Sequence, residues 1–184
     1  MRIETRRIMK YNPDIHQRRS IRLKGYDYSQ AGIYYVTICT KDRECLFGNI
    51  VNFNMELSTL GKIVEQEWHE ILKRFPDVEL DAFVIMPNHI HGIIIVWATI
   101  VVAQNNRAGA RPAPTIGKII GTFKSLCIHD WLGYVKENGL GTVGKFWQRN
   151  YYEHIIRNET ELDKIREYII TNPLNWESDE NYTN

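Results

Sequence analysis

Two histidines stand two residues apart inside an apolar run, Phe83-Val84-Ile85-Met86-Pro87-Asn88-His89-Ile90-His91-Gly92-Ile93-Ile94-Ile95-Val96. In an extended chain residues i and i+2 share a face, so His89 and His91 converge while Ile90 turns toward the core. Two neutral imidazoles placed in this way can hold one divalent cation, and such a site needs a further ligand from elsewhere in the chain. The same spacing also serves an ordinary hydrogen-bonded histidine pair, and a three-residue pattern recurs by chance. A second element, distant in sequence, has to agree.

The elements that must position this pair follow from the hydrophobic pattern. Tyr34 to Thr40 reads as a strand. Ser58 can cap a helix running to about Phe75, with Leu60, Ile63, Val64, Trp68, Ile71 and Leu72 at helical spacing. Val78 to Met86 and His89 to Val96 read as a hairpin interrupted by Pro87-Asn88. After a loop from Gln104 to Pro114, Thr115 can cap a helix carrying Ile116, Ile119, Ile120, Phe123 and Leu126. Gly133 to Gly144 reads as a second connection and Phe146 to Ile156 as a strand. Asn158 with Glu161 three residues on starts a last helix whose buried stripe is Leu162, Ile165 and Ile169. This order is that of an α+β fold, the ferredoxin-like βαββαβ antiparallel sheet with a helix appended.

Composition narrows the class. A chain of 184 residues with 43% apolar content supports one good core. Cys39, Cys45 and Cys127 are odd in number and lack C-x-x-C spacing, so neither a disulfide framework nor a zinc finger is implied, and a reducing cytoplasm is the expected location. The N-terminus has no apolar h-region, and the run from Ile93 to Val102 falls far short of a membrane span; no membrane partner is expected. No G-x-x-x-x-G-K-[ST] run is present, so no nucleotide cofactor is expected. The net charge of +1 hides an asymmetry: residues 1–25 hold eight Lys/Arg against Glu4 and Asp14, which leaves the remainder at −5. Phosphate contact is therefore expected locally.

The second element is Phe146-Trp147-Gln148-Arg149-Asn150-Tyr151-Tyr152-Glu153-His154-Ile155-Ile156-Arg157-Asn158-Glu159, followed by Arg166-Glu167-Tyr168-Ile169-Ile170-Thr171-Asn172-Pro173. With the paired histidines, these segments resemble the REP-associated tyrosine transposases, a branch of the single-tyrosine HUH transposases. That family carries the histidines on a strand, then WQ…YY(E/D)H.IRN, then YI..NP. The likeness also takes in Arg18 to Gly48 and Arg107 to Ser125, and runs in the family's order from about Arg18 to Trp176. It divides the chain into a basic segment (1–25), one HUH-like catalytic domain (26–176) and an acidic polar tail (177–184).

The resemblance implies that Tyr168 is a nucleophile, that His89 and His91 are metal ligands with Asn172 as the third, and that the ion is Mg²⁺ or Mn²⁺. Read without it, Tyr168 is an aromatic at the edge of a helical stripe and Asn172-Pro173 a helix terminator. The implied reaction is cleavage and rejoining of single-stranded DNA at REP-like hairpins through a 5′-phosphotyrosine, by a monomer or homodimer. Candidate DNA contacts are Arg18, Arg19, Arg22, Lys24, Arg107, Arg111, Lys118, Lys124, Arg149 and Arg157. Trp147 reads as core. Tyr151 and Tyr152, on opposite faces of a strand, leave one further phenol able to approach the site.

Two rival chemistries fail on spacing. A histidine-triad hydrolase needs a third histidine where Ile93 stands, and neither histidine has the Ser or Thr two residues on that a two-histidine phosphoesterase requires. The relaxase-like nickases often carry a second tyrosine on the catalytic helix, and only Tyr168 lies between Asn158 and Pro173. The runner-up of another class is a catalytically silent, domesticated protein that binds hairpin DNA.

Overall fold

The computed structural model describes residues 31–97, 114–141 and 144–182. In chain order these form β1 (Gly32–Cys39), a hairpin of β2 (Gly48–Val51) and β3 (Asn54–Leu57), α1 (Thr59–Arg74), β4 (Val78–Met86), β5 (His89–Val96), α2 (Ile116–Glu137), β6 (Tyr152–Ile156) and α3 (Glu159–Thr171), then a 3₁₀ segment, Asn172–Ser178. The four long strands make one antiparallel sheet in the order β4-β5-β1-β6. The described residues thus make a mixed α/β molecule built on an antiparallel sheet with three helices.

Because β5 lies between two neighbours and is covered on both faces, its residues are apolar at nearly every position except the histidines. Ile90 and Ile94 face α1 and α2, where they join Trp68, Ile71, Ile120 and Phe123 in the main core. Ile93, one residue out of phase, faces the other way and packs with Ile156, Leu162 and Ile169 beneath α3. The strand parity expected from the sequence therefore holds, and it places His89 and His91 on the α3 side. A bulge between Leu80 and Phe83 presents Asp81 to that side, where Arg166 of α3 binds its carboxylate at 2.7 Å and pins the helix to the sheet edge.

Gly92 shows how tightly the α1 face is closed. A Cβ at this position would lie 2.3 Å from Cζ2 of Trp68, whose ring is stacked on Phe83 at 4.6 Å and meets Phe123 edge-on. The ring has nowhere to retreat. Gly92→Ala is therefore expected to cost about 1–3 kcal/mol, read as a fall of several degrees in Tm by calorimetry; an unchanged Tm would contradict this packing.

The helix caps form as the sequence predicts, with Ser58 accepting from Gly61 N at 3.0 Å and Asn158 from Glu161 N at 2.9 Å. Two expectations need correction, and one element was not expected. The α2 helix runs through Gly133, which is solvent-exposed and meets nothing, and stops where Gly139 takes φ +62 and the Leu140 N–H returns to the Val135 carbonyl. The closing strand begins only at Tyr152: before it, Trp147 makes an isolated bridge to Thr40, while Lys124 Nζ takes the carbonyls of Gln148 and Asn150. The β2–β3 hairpin has no counterpart in the sequence reading. Its turn holds Asn52 and Phe53 at φ 50 and 64, a conformation usually signalled by glycine.

Candidate active site

The site grows from the register of the sheet. Thr37 of β1 lies opposite His91 of β5 on one side and Tyr152 of β6 on the other, so His91, Thr37 and Tyr152 stand in one row on the α3 face. Both histidines are essentially fully buried, and their Nε2 atoms approach to 2.9 Å. Their outer nitrogens are held by the strand neighbours. His89 Nδ1 is 2.8 Å from Asn88 Oδ1, an oxygen that can only accept, so the proton sits on Nδ1 and the Nε2 lone pair faces the site. His91 Nδ1 meets the hydroxyls of Tyr35 at 2.7 Å and Thr37 at 2.9 Å. Burial pushes the pKa of His89 down to about 4 and, with His89 beside it, that of His91 down to about 3. Both imidazoles are neutral at neutral pH, the state a metal requires.

The α3 helix and the turn after it supply the rest. Tyr168 lies one helical turn before the end of α3, and its hydroxyl reaches to 3.4 Å from His91 Nε2. Pro173 stands in the first turn of the 3₁₀ segment, which folds the chain back so that Asp179 faces the histidines. Asp179 Oδ2 accepts from the Tyr168 hydroxyl and from Asn172 Nδ2, each at 3.1 Å, while Oδ1 accepts from Asn181 N at 2.6 Å. Burial works to raise the Asp179 carboxyl, but the Asn181 N–H, His89 and the Asn172 amide outweigh it and hold the carboxyl below its ordinary range. Tyr168 moves the other way: burial first, then the charge and hydrogen bond of Asp179, push its phenol up to about 12.

His89, His91 and Asp179 each offer one ligand atom, all within 4.8 Å of one another. Asn172 is buried beside them, and its Oδ1 has no hydrogen-bond partner among the described residues. Two neutral imidazoles, a carboxylate and a spare amide oxygen form a donor set suited to a first-row divalent cation, and the two nitrogens favour Mn²⁺ over Mg²⁺.

No family model matches the chain. A protein of Haemophilus influenzae, described only as uncharacterized, is 46% identical over 181 residues, covering 94% of this chain and 97% of the relative. The two proteins belong to one family. Among solved structures, a REP-associated tyrosine transposase bound to a REP hairpin superposes with a TM-score of 0.53 at 18% identity, covering 83% of this chain and 73% of that one. The two share a fold.

The structure brings His89, His91, Tyr168 and Asn172 together at one point. Sequence reasoning missed Asp179, which lies in the segment read as a polar tail. That segment packs against the site: Asn181 is buried, its carbonyl accepts from Asn88 Nδ2 at 2.8 Å, and its side-chain oxygen accepts from Arg43. Asp179 follows the family-like motif by several residues, and an acidic residue near a chain end carries no sequence signal. Tyr35 and Thr37 were legible in principle, since strand pairing places them beside His91. Arg18, Arg19, Arg22, Lys24, Arg107 and Arg111 lie outside the described residues. Lys118, Arg149 and Arg157 are exposed, and Lys124 is engaged with the two carbonyls before β6. Trp147 is core, between Phe47, Phe123 and Phe146.

Proposed function

We propose that this protein is a metal-dependent single-stranded DNA transposase or endonuclease of the HUH type, which cleaves and rejoins DNA at REP-like hairpins through a 5′-phosphotyrosine. The observation that carries this reading is the meeting of the Tyr168 hydroxyl with the buried histidine pair, 3.4 Å from His91 Nε2. Two segments separated by 77 residues converge on one point, which a chance tripeptide would not do. The fold shared with a transposase bound to a REP hairpin supports the same substrate class. On this reading the sheet is ferredoxin-like, with the β2–β3 hairpin inserted after β1 and α3 appended.

The proposed roles are supported by the geometry. His89 and His91, with Asp179 or Asn172, would hold the divalent cation, which supplies polarisation of the scissile phosphate oxygen and neutralisation of its charge. A phenol is a poor nucleophile at neutral pH and must lose its proton as it attacks. Asp179 Oδ2 already accepts that proton's hydrogen bond at 3.1 Å. Tyr168 Oη forms a bond to phosphorus, the bond from phosphorus to the 3′ oxygen breaks, and the released strand ends in a 3′-hydroxyl. A 3′-hydroxyl can reverse the exchange. One phosphodiester replaces another, so no ATP is consumed.

The test uses hairpin oligonucleotides from the protein's own genomic flanks, with unpaired ends labelled at 5′ or 3′, incubated with Mn²⁺, Mg²⁺ or EDTA and resolved on denaturing gels. A protein adduct that retains only the 3′ label, stronger in Mn²⁺ than in Mg²⁺ and absent in EDTA, is the expected result. Tight binding with no adduct under any metal would leave a DNA-binding protein without catalysis.

A further inference from the structure

We propose that the cleft beside Tyr168 seats one unpaired nucleotide flanking the scissile phosphodiester, with its base against the ring of Tyr152; this rests on the single-stranded DNA reading above. The cleft has a volume of about 580 Å³ and is lined by Tyr35, Thr37, Tyr152 and Tyr168 together with Gln148 and Asn150. Its volume falls in the range of pockets that enclose small organic ligands.

Tyr152 is the informative residue. Register places it in the row of Thr37 and His91, and it lines the cleft, yet it contributes to neither hydrophobic cluster and remains 46% exposed. Tyr35 braces it edge-on, with ring centroids 6.2 Å apart at 69°. A braced, half-exposed aromatic beside a nucleophile is a stacking platform, and base stacking tolerates any sequence because every base has a π-face.

Gln148 and Asn150, in the same lining, suit the edge of a base. Lys124 Nζ holds the carbonyls of Gln148 and Asn150 at 2.8 and 3.0 Å, so this stretch of backbone is fixed before any ligand arrives. The two amide side chains each offer a donor and an acceptor, the complement of nucleobase edges. Charge argues the same way. Arg43 and Glu180 line the cleft with opposite signs, which gives no net attraction for phosphate. A near-neutral cleft of phenols and amides fits a base, while the adjoining phosphate belongs at the histidines.

The test measures binding of the full chain to a fluorescent single-stranded hairpin oligonucleotide by anisotropy in EDTA, for the parent, Tyr152→Phe and Tyr152→Ala. Each is repeated with one abasic position moved along the unpaired flank. Tyr152→Ala is expected to weaken binding about tenfold or more and Tyr152→Phe by no more than about twofold. One abasic position should cost the parent as much as the alanine change does, and cost Tyr152→Ala almost nothing further. Parent-like affinity in Tyr152→Ala, or the same abasic loss in both proteins, would overturn the pocket. Should Tyr152→Ala fail to fold, the abasic scan on the parent and Tyr152→Phe decides, since no sensitive position would then mean no base pocket. If the parent binds no single strand, the nuclease reading falls with it; if the parent binds and forms the adduct while Tyr152→Ala binds as tightly as the parent, only the pocket falls.

Discussion

Tyr168→Phe is expected to bind hairpin DNA like the parent and to form no covalent adduct, with strand cleavage reduced on the order of 10⁴-fold or more. The change removes a single oxygen. That oxygen makes two contacts, to Asp179 at 3.1 Å and to His91 Nε2 at 3.4 Å, on a side chain that is 40% exposed. The fold should lose no more than about 1 kcal/mol, so binding and melting temperature serve as controls. The ring remains to keep its edge contacts with Tyr35 and His91. Persistence of the adduct in Tyr168→Phe would place the nucleophile elsewhere. Tyr152 would then be the phenol to test, because it shares the sheet row of His91.

The parts of this site written in periodic patterns were readable, and the parts made by chain reversal were not. The histidine pair, its strand, the Pro87-Asn88 turn and the helix caps at Ser58, Thr115 and Asn158 all rest on local rules: alternation, turn chemistry and side-chain capping. Each appears where those rules put it. Asp179 depends on a different kind of information. Nothing local says that the 3₁₀ segment after α3 turns back over the histidines; that follows from Asn181 filling a buried position between Asn88 and Arg43. The β2–β3 hairpin was hidden for a related reason, since Asn52 and Phe53 adopt left-handed backbone without the glycine that normally announces it. The premature end assigned to α2 shows the converse error. Gly133 costs helix stability but does not break a helix whose buried face continues to Val135.

Removing either histidine is expected to abolish Mn²⁺ binding and cleavage together, because the remaining imidazole with an oxygen of Asp179 or Asn172 gives too few donors to hold the ion. His89→Ala and His91→Ala should show no saturable binding by titration calorimetry while retaining hairpin affinity in EDTA. The identity of the third donor separates in the same experiment. Asp179→Asn keeps the shape and removes the charge; if its carboxylate is a ligand, Mn²⁺ affinity should fall about ten- to a hundredfold or more. Asn172→Ala removes the buried Oδ1 and also the Nδ2 that steadies Asp179 at 3.1 Å. A large loss in Asn172→Ala with unchanged affinity in Asp179→Asn would make the amide oxygen the ligand and leave Asp179 as the proton acceptor for Tyr168. Asp179→Asn would then lower the cleavage rate at saturating metal without weakening the metal itself. The reverse order of losses would make the carboxylate the ligand, with one oxygen on the cation and the other left to take the hydrogen bond of the phenol.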